Sequence, residues 1–514
     1  MSTPEVLNNI ARNLRRYTLE SKLEVIRKIA VCIDPLHQKT DISKYIFVDS
    51  YLPKQWYPHG AAQLFELEYL ALVSTVVGEW EGPLQELNKL NEFRKIANLY
   101  RSYNPQFINI TDSTMLGDRE AILNLFFLRL THQQFKYQYH PLAGLYRHNY
   151  FFSYSNPNFD LKKVFLEIFE YPYEDYLVLA YSYQMICSLS YETMDIDRVV
   201  NDLCKGRLFT QEKLSSMLKR LSMDRSTAIE IYSKYKNPDD RLRIYDYNPY
   251  TLRPILTYQK KLFAPIPRLL VNAITEGFLS YIFTLKGIGF RNSFGQYTFY
   301  DYLHEVLKDD KAIDTIIPEF TFYINRQEYK SPDFILVQDN NIIILEAKAT
   351  TPTVALKTAS MGDYLDQLKK AYGKAILQCI KKERLIIGKM MIHDKLPKHI
   401  GKIYFLIVTL EDFRFPVDNF LKSKIIDLCK SEGALLKENR DFHAMSIQTL
   451  EDIIEKDNRD LFAFLEERET TQTVFKTYTE SFIRLDKEIK EQKDFIFWDS
   501  NIRKLSLDLF GKSI

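Results

Sequence analysis

Two short apolar runs within residues 331–348, SPDFILVQDNNIIILEAK, constrain the chain more than any other stretch. The runs 333–337 and 342–345 are rich in β-branched residues and are split by the polar turn Gln338-Asp339-Asn340-Asn341, the pattern of a β-hairpin. Asp333 opens the first strand, and Glu346 and Lys348 close the second. Side chains alternate along a strand, so Glu346 and Lys348 share a face and Ala347 points to the other. Two acids and a lysine at the rim of a buried sheet suggest a metal-ion site for phosphodiester cleavage.

Hydrolysing a phosphodiester requires an activated water, neutralisation of charge on the phosphoryl oxygens, and help for the leaving oxygen. A divalent ion held by carboxylates supplies all three. Mg²⁺, or Mn²⁺ in its place, prefers oxygen ligands and keeps several waters, so a small protein donor set suffices. The expected ligands are the carboxylates of Asp333 and Glu346 and the main-chain carbonyl of Ala347. Lys348 then sits beside the ion, where it orients the attacking water or stabilises charge on the phosphoryl group.

Pro332-Asp333, twelve residues, then Glu346-Ala347-Lys348 resembles the signature of the PD-(D/E)XK nuclease superfamily, the restriction-endonuclease-like fold. The resemblance covers roughly residues 268 to 412, with an expected order of helix, hairpin, helix and strand. It implies catalytic roles for Asp333, Glu346 and Lys348. It also implies a Gln on the helix after the second strand, near the scissile phosphate, and Gln378 matches that position. Gln367 lies eleven residues earlier, about 20° off three full helical turns, so the two share a face. Members often carry an acid on the helix before the hairpin, as an aromatic residue followed by Glu. Here that place reads Phe299-Tyr300 with no acid, leaving Glu276, Glu305 or Glu319 as substitutes. Basic residues surround the expected site. Lys330, Lys370 and Lys374 are the candidates for nucleic-acid contact, with Arg326, Lys357, Lys369, Lys381 and Lys382 nearby; such contacts make binding salt-dependent. Tyr364 and Tyr372 suit either base stacking or core packing.

The remainder of the chain is far longer than this core. At 514 residues two or three domains are expected. Residues 1–250 read as a mainly helical recognition or regulatory region, because Leu7, Ile10, Leu14 and Leu23, Ile26, Ala30 recur at helical spacing. Helical patterns also fall at 61–77, 121–130, 161–169 and 176–189. Thirty-four Tyr and 34 Phe against 16 Gly favour packed helices and aromatic clusters over glycine-rich loops. Residues 210–235 form two short helices across a tight turn, with Thr210 and Asp224 as N-caps. They fit a helix-turn-helix with Arg225, Ser226 and Thr227 facing DNA, or an ordinary helical hairpin. Residues 236–267, rich in Pro, Asn, Asp and Tyr, read as a domain boundary or an ordered linker.

The expected fold class is therefore α+β and multidomain. A mainly helical N-terminal half is followed by an α/β restriction-endonuclease-like core at 251–415 and by a helical extension with one strand at 416–514. A formal charge of +2 means that any nucleic-acid binding must come from local patches. Five scattered cysteines without CxxC spacing read as thiols in a reducing cytoplasm. No apolar run reaches a membrane span, and residues 1–16 lack the apolar core of a signal peptide. There is no GxxxxGK[ST] and no GxSxG. His140 and His148 lack zinc-pair spacing, and Gly287-Ile288-Gly289 reads as a turn.

The expected activity is Mg²⁺-dependent cleavage of nucleic acid, as an endonuclease acting on DNA. A restriction or antiphage-defence setting follows from the resemblance alone. The alternatives are a nuclease-like nucleic-acid-binding or scaffold subunit without catalysis, or a ribonuclease. The partners expected are nucleic acid, with a partner protein or a second copy of the chain, and no membrane.

Overall fold

A computed structural model describes residues 3–34, 62–102, 137, 141–189, 194–205, 209–236, 243, 246–351, 369–411, 427, 429–431, 442–454 and 460–470. The protein is mixed α/β, with helices in the N-terminal part and mixed sheets later. It divides into two compact units that are not consecutive in sequence. One comprises Met1–Phe152 and Lys162–Ile282, the other Ser153–Leu161 and Phe283–Ile514.

The first unit holds α1 (Thr3–Leu14), α2 (Leu19–Ile33), α3 (Leu64–Val76), α4 (Leu90–Arg101) and α5 (Pro141–Ser153). It continues with α6 (Leu161–Phe169), α7 (Tyr173–Leu189), α8 (Ile196–Lys205), α9 (Gln211–Leu221), α10 (Arg225–Tyr235) and α11 (Arg268–Asn272). The three- and four-residue spacing of Val6, Ile10 and Leu14, and of Leu19, Leu23 and Ile26, places each set on a buried stripe. Glu66, early in α3, accepts from the Gln63 N–H at 2.7 Å and takes both guanidinium bonds of Arg101, which ties α4 to α3. A second core is aromatic: Phe165, Phe169, Tyr173 and Tyr176 pack with Phe278, the Phe169 and Phe278 rings stacking at 4.2 Å. These rings are where the high Tyr and Phe content is spent.

The helical reading of residues 1–250 omits a small sheet. Strands β1 (Met194–Asp195), β2 (Ser222–Asp224), β3 (Ile255–Tyr258) and β4 (Lys261–Phe263) pair in the order β1-β4-β3-β2. Two- to four-residue strands are too short to show a period, so residues 236–267 resemble a linker until their partners are known. β2 also corrects the helix-turn-helix reading. Thr210 and Asp224 do cap α9 and α10, but the turn between the helices is a strand hydrogen-bonded to β3. Arg225 faces inward, its Nε donating to the Thr75 carbonyl at 2.9 Å and its Nη2 to that of Val77 at 3.3 Å.

α12 (Phe278–Phe294), which belongs to the second unit from Phe283 on, is interrupted at Gly287, whose φ of 81° suits glycine and produces the turn read from its motif. A π-helical turn (Gly295–Phe299) and α13 (Tyr300–Lys308) follow. A five-stranded sheet comes next: β5 (Thr315–Pro318), β8 (Phe334–Gln338), β9 (Asn341–Lys348), β10 (Ile403–Thr409) and β11 (His443–Ser446), in the order β11-β10-β9-β8-β5. β8 runs antiparallel to both its neighbours, β5 and β9, while β10 lies parallel to both β9 and β11. Strands covered on both faces lose alternation and become continuous apolar runs, and β10 is buried at all seven positions. The apolar stretch 316–324 does not form one strand but is broken at Glu319-Phe320. Its second half, β6 (Thr321–Ile324), pairs only with β7 (Gln327–Lys330) in a separate two-stranded ribbon. α14 (Lys374–Ile387) packs on β9 and β10. α15 (Ile447–Ile454) and α16 (Leu461–Thr470) complete the described residues. Tyr302 of α13 donates to Glu451 of α15 at 2.7 Å. The expected helix at 121–130 lies outside the described residues, as does the C-terminal extension beyond residue 470.

Candidate functional site

The hairpin register brings the acids together. β8 and β9 pair antiparallel with Phe334 opposite Leu345 and Gln338 opposite Asn341, closed by the two-residue turn Asp339-Asn340. The next pair outward is Asp333 with Glu346. Directly opposed residues of an antiparallel pair project to the same face, and Lys348, two residues beyond Glu346, shares that face. The opposite face carries Phe334, whose ring stacks on Tyr300 of α13 at 4.5 Å.

Each charged group is held. Asp333 Oδ2 accepts from the Ala347 N–H at 2.7 Å. Lys348 Nζ donates to Glu346 Oε2 and to Gln378 Oε1, both at 2.9 Å. Gln378 reaches the sheet because α14 crosses it there, with Cys379 buried beneath and facing the Ile344 carbonyl at 3.9 Å. Asp333, Glu346, Lys348 and Gln378, all singled out from the sequence, therefore form one connected cluster, and Ala347 fixes Asp333 through its amide. Lys330 stands at the flank, paired with Glu319 at 3.0 Å. Lys374 is exposed at the start of α14. Tyr372 is buried, which favours its core reading. The side chains of Lys369 and Lys370, and residues Lys357, Tyr364 and Gln367, lie outside the described residues.

Of the three substitute acids, only Glu319 bears on the site. Glu276 belongs to the first unit, and Glu305 is exposed and paired with Lys308. Tyr300, not assigned to the site from the sequence, and Lys382, counted there only among the nearby basic residues, also bear on it. Tyr300, at the place where the resemblance expects an acid, donates to the Asp333 carbonyl at 3.2 Å and accepts from the Glu319 N–H at 3.0 Å. Lys382, one turn beyond Gln378, donates to the Ser331 carbonyl at 3.3 Å. Tertiary hydrogen bonds of this kind leave no periodic signal. In the sequence Lys382 stands out only as one of the nearby bases, four residues beyond Gln378.

Burial and the mutual repulsion of two acids dominate the electrostatics of the cluster. Burial raises the Glu346 carboxyl to about 7, with the Asp333 charge pushing the same way and Lys348 opposing. Burial also raises Asp333, against the pull of Lys348 and the Ala347 amide, and Glu319 adds to the rise. Burial lowers Lys348, but Glu346 and Asp333 outweigh it, so the ammonium is held charged. Burial lowers Lys382, which feels Glu346, Glu319 and Asp333. Among the described residues no three Asp, Glu, His or Cys side chains converge as a metal cluster. The donor set is smaller: two opposed, desolvated carboxylates, each with one oxygen (Asp333 Oδ1, Glu346 Oε1) free of hydrogen bonds among the described residues. That set fits a hard divalent ion that keeps most of its waters. Comparison with protein-family models, curated proteins and solved structures returns no match. No helix among the described residues is long and apolar enough to cross a membrane.

Proposed function

We propose that the protein is a metal-dependent nuclease of the PD-(D/E)XK type, an endonuclease that hydrolyses phosphodiester bonds in DNA. A restriction or antiphage-defence role is the setting this reading implies. The observation that carries it is the register placing Asp333 opposite Glu346, with Lys348 bonded to both Glu346 and Gln378 at the same strand end. Asp333 and Glu346, with the Ala347 carbonyl, would hold Mg²⁺ or Mn²⁺, which would supply Lewis acidity and a nucleophilic water. The chain's own groups do the remaining work. Asp333 is kept in place by the Ala347 amide, and Tyr300 bonds its backbone. The Lys348 ammonium, kept charged by the acids, would stabilise charge developing on the phosphoryl group. Gln378 restrains that ammonium from the helix side.

Purified protein is expected to nick supercoiled plasmid with Mg²⁺ or Mn²⁺ and to stop with EDTA. Asp333→Ala and Lys348→Ala are each expected to lower the rate by roughly 10²–10³-fold, the scale on which loss of one charge-stabilising group acts. Undiminished cleavage by both variants would overturn the assignment. Parallel assays on RNA decide the sugar, because phosphate chemistry at the metal does not depend on it. Saturable Mn²⁺ binding without cleavage of either polymer would mark a nuclease-like binding subunit.

A further inference from the structure

The segment following α14 carries charge that the hairpin site does not use. Residues 381–402 contain seven Lys and Arg against two acids, Glu383 and Asp394. Asp394 is paired with His393 at 3.0 Å, and Lys402 with Glu466. Lys389, Lys395 and Lys398 are exposed and pair with no acid among the described residues. The same segment exposes three large apolar side chains: Ile387 at 61%, Met390 at 46% and Ile392 at 78%. Single exposed apolar residues are ordinary, but three on one turn beside unpaired lysines do not form a solubilising face.

The turn is held in that shape. The amides of Gly388, Lys389, Met390 and Met391 donate back to the carbonyls of Arg384, Ile386 and Leu385 at 2.9–3.0 Å, and Met391 is buried as an anchor. It also adjoins the site. The His393 ring lies 4.7 Å from that of Phe320. The Phe320 carbonyl accepts from the Ser331 N–H at 2.9 Å, and its own N–H donates to Ser331 Oγ at 2.8 Å. Ser331 is two residues from Asp333 and also accepts from Lys382.

We infer that residues 387–398 form a nucleic-acid-binding edge that grips the substrate beside the scissile phosphate. Lys389, Lys395 and Lys398 meet backbone phosphates, and Met390 and Ile392 press on base or sugar faces as apolar wedges. Unpaired cations select a polyanion, and the link through Phe320 and Ser331 to Asp333 selects the polyanion that the site would cut. The inference rests on the nuclease reading and names how that site holds its substrate.

The test is fluorescence anisotropy of labelled duplex and single-stranded DNA with the full chain, in EDTA and across a salt series. The variants are K389Q/K395Q/K398Q and M390S/I392S, with melting curves to confirm that both fold. The triple variant is expected to bind about tenfold or more weakly near 0.1 M salt, with a log–log salt slope reduced by about 2–3. The double variant is expected to bind more weakly with its slope unchanged. If both variants match a wild type that binds DNA and cleaves plasmid, the inference fails and the nuclease reading stands. If the wild type neither binds nor cleaves, both fail. Capture of the wild type by phosphatidylserine vesicles, lost in M390S/I392S while DNA affinity is unchanged, would assign this edge to a membrane and overturn the inference.

Discussion

Glu346 is the residue on which the candidate site and the stability of the fold make opposite demands. It is 3% exposed and directly across from Asp333, so its charge lacks water and faces a second acid. Its carboxyl titrates near 4.5 when unfolded and at about 7 in the folded chain. Across that interval the native state binds more protons than the unfolded one, so metal-free stability falls as pH rises from about 4.5 to about 7 and stays low above it. Glu346→Gln removes the charge and keeps the shape. It is expected to raise the neutral-pH stability of the metal-free protein by about 1–3 kcal/mol, the order set by a shift of this size. On the proposed metal-binding reading, the same substitution is expected to abolish saturable Mn²⁺ binding. Because a bound cation must displace a proton from Glu346, Mn²⁺ affinity measured by calorimetry in the wild type should increase as pH rises through about 7. An E346Q protein that melts lower at neutral pH, or that still binds Mn²⁺, contradicts this account of the site.

At the scale of elements, the hairpin positions the acids and the ribbon inserted before it shapes their flank. The β6–β7 turn places Asn325 and Arg326 at φ of 49° and 67°, the conformation of a two-residue primed turn. Asn tolerates it; Arg pays roughly 1 kcal/mol or more for its Cβ. Arg326→Gly is therefore expected to stabilise the second unit by about 1 kcal/mol, read as a higher melting temperature. A lower melting temperature would mean that the arginine side chain holds the ribbon through contacts that outweigh its strain. The contrast between the two hairpins also explains what was legible in the sequence. β8 and β9 are visible because burial on both faces makes them apolar, and the acids are visible because charge is conspicuous at the ends of such runs. β7 reads Gln-Glu-Tyr-Lys, with no apolar run and no Asn-Gly turn, so the ribbon is invisible until Phe320 is seen turned toward Ser331 and His393. Tyr300 stands where the resemblance expects an acid, and its hydroxyl bonds the backbone of both Asp333 and Glu319. A backbone partner of that kind has no sequence signature.

At the scale of the molecule, the chain enters the second unit, returns to the first, and leaves it again, because residues 153–161 belong with 283–514. Within that unit Tyr154 donates to Asp301 at 2.6 Å, and Phe159 packs against Phe290 and Tyr297. A fragment cut at residue 283 would lose these contacts, so thermodynamic tests need the full chain. Each unit has its own core, and each buries a titratable group whose response to acid has the opposite sign. In the first unit His148 is enclosed by Phe151 and Phe152, and its Nδ1 lies 2.7 Å from the Gly144 carbonyl, to which it donates. Burial, with Arg147 beside it, lowers the imidazole from 6.5 to about 3. The unfolded state then binds the extra proton, so stability of that unit is lost as pH falls from about 6.5 toward 3. In the second unit the raised Glu346 carboxyl makes acidification from about 7 to about 4.5 stabilising. Calorimetric scans of the metal-free full chain at about pH 7 and at about pH 5 should therefore resolve two transitions that move apart or cross, since multidomain chains need not melt as one. His148→Phe is expected to flatten the acid response of one transition, and E346Q that of the other. If a single transition shifts in one direction and neither substitution changes its slope, the two units melt as one cooperative body, and these buried groups do not set its response to pH.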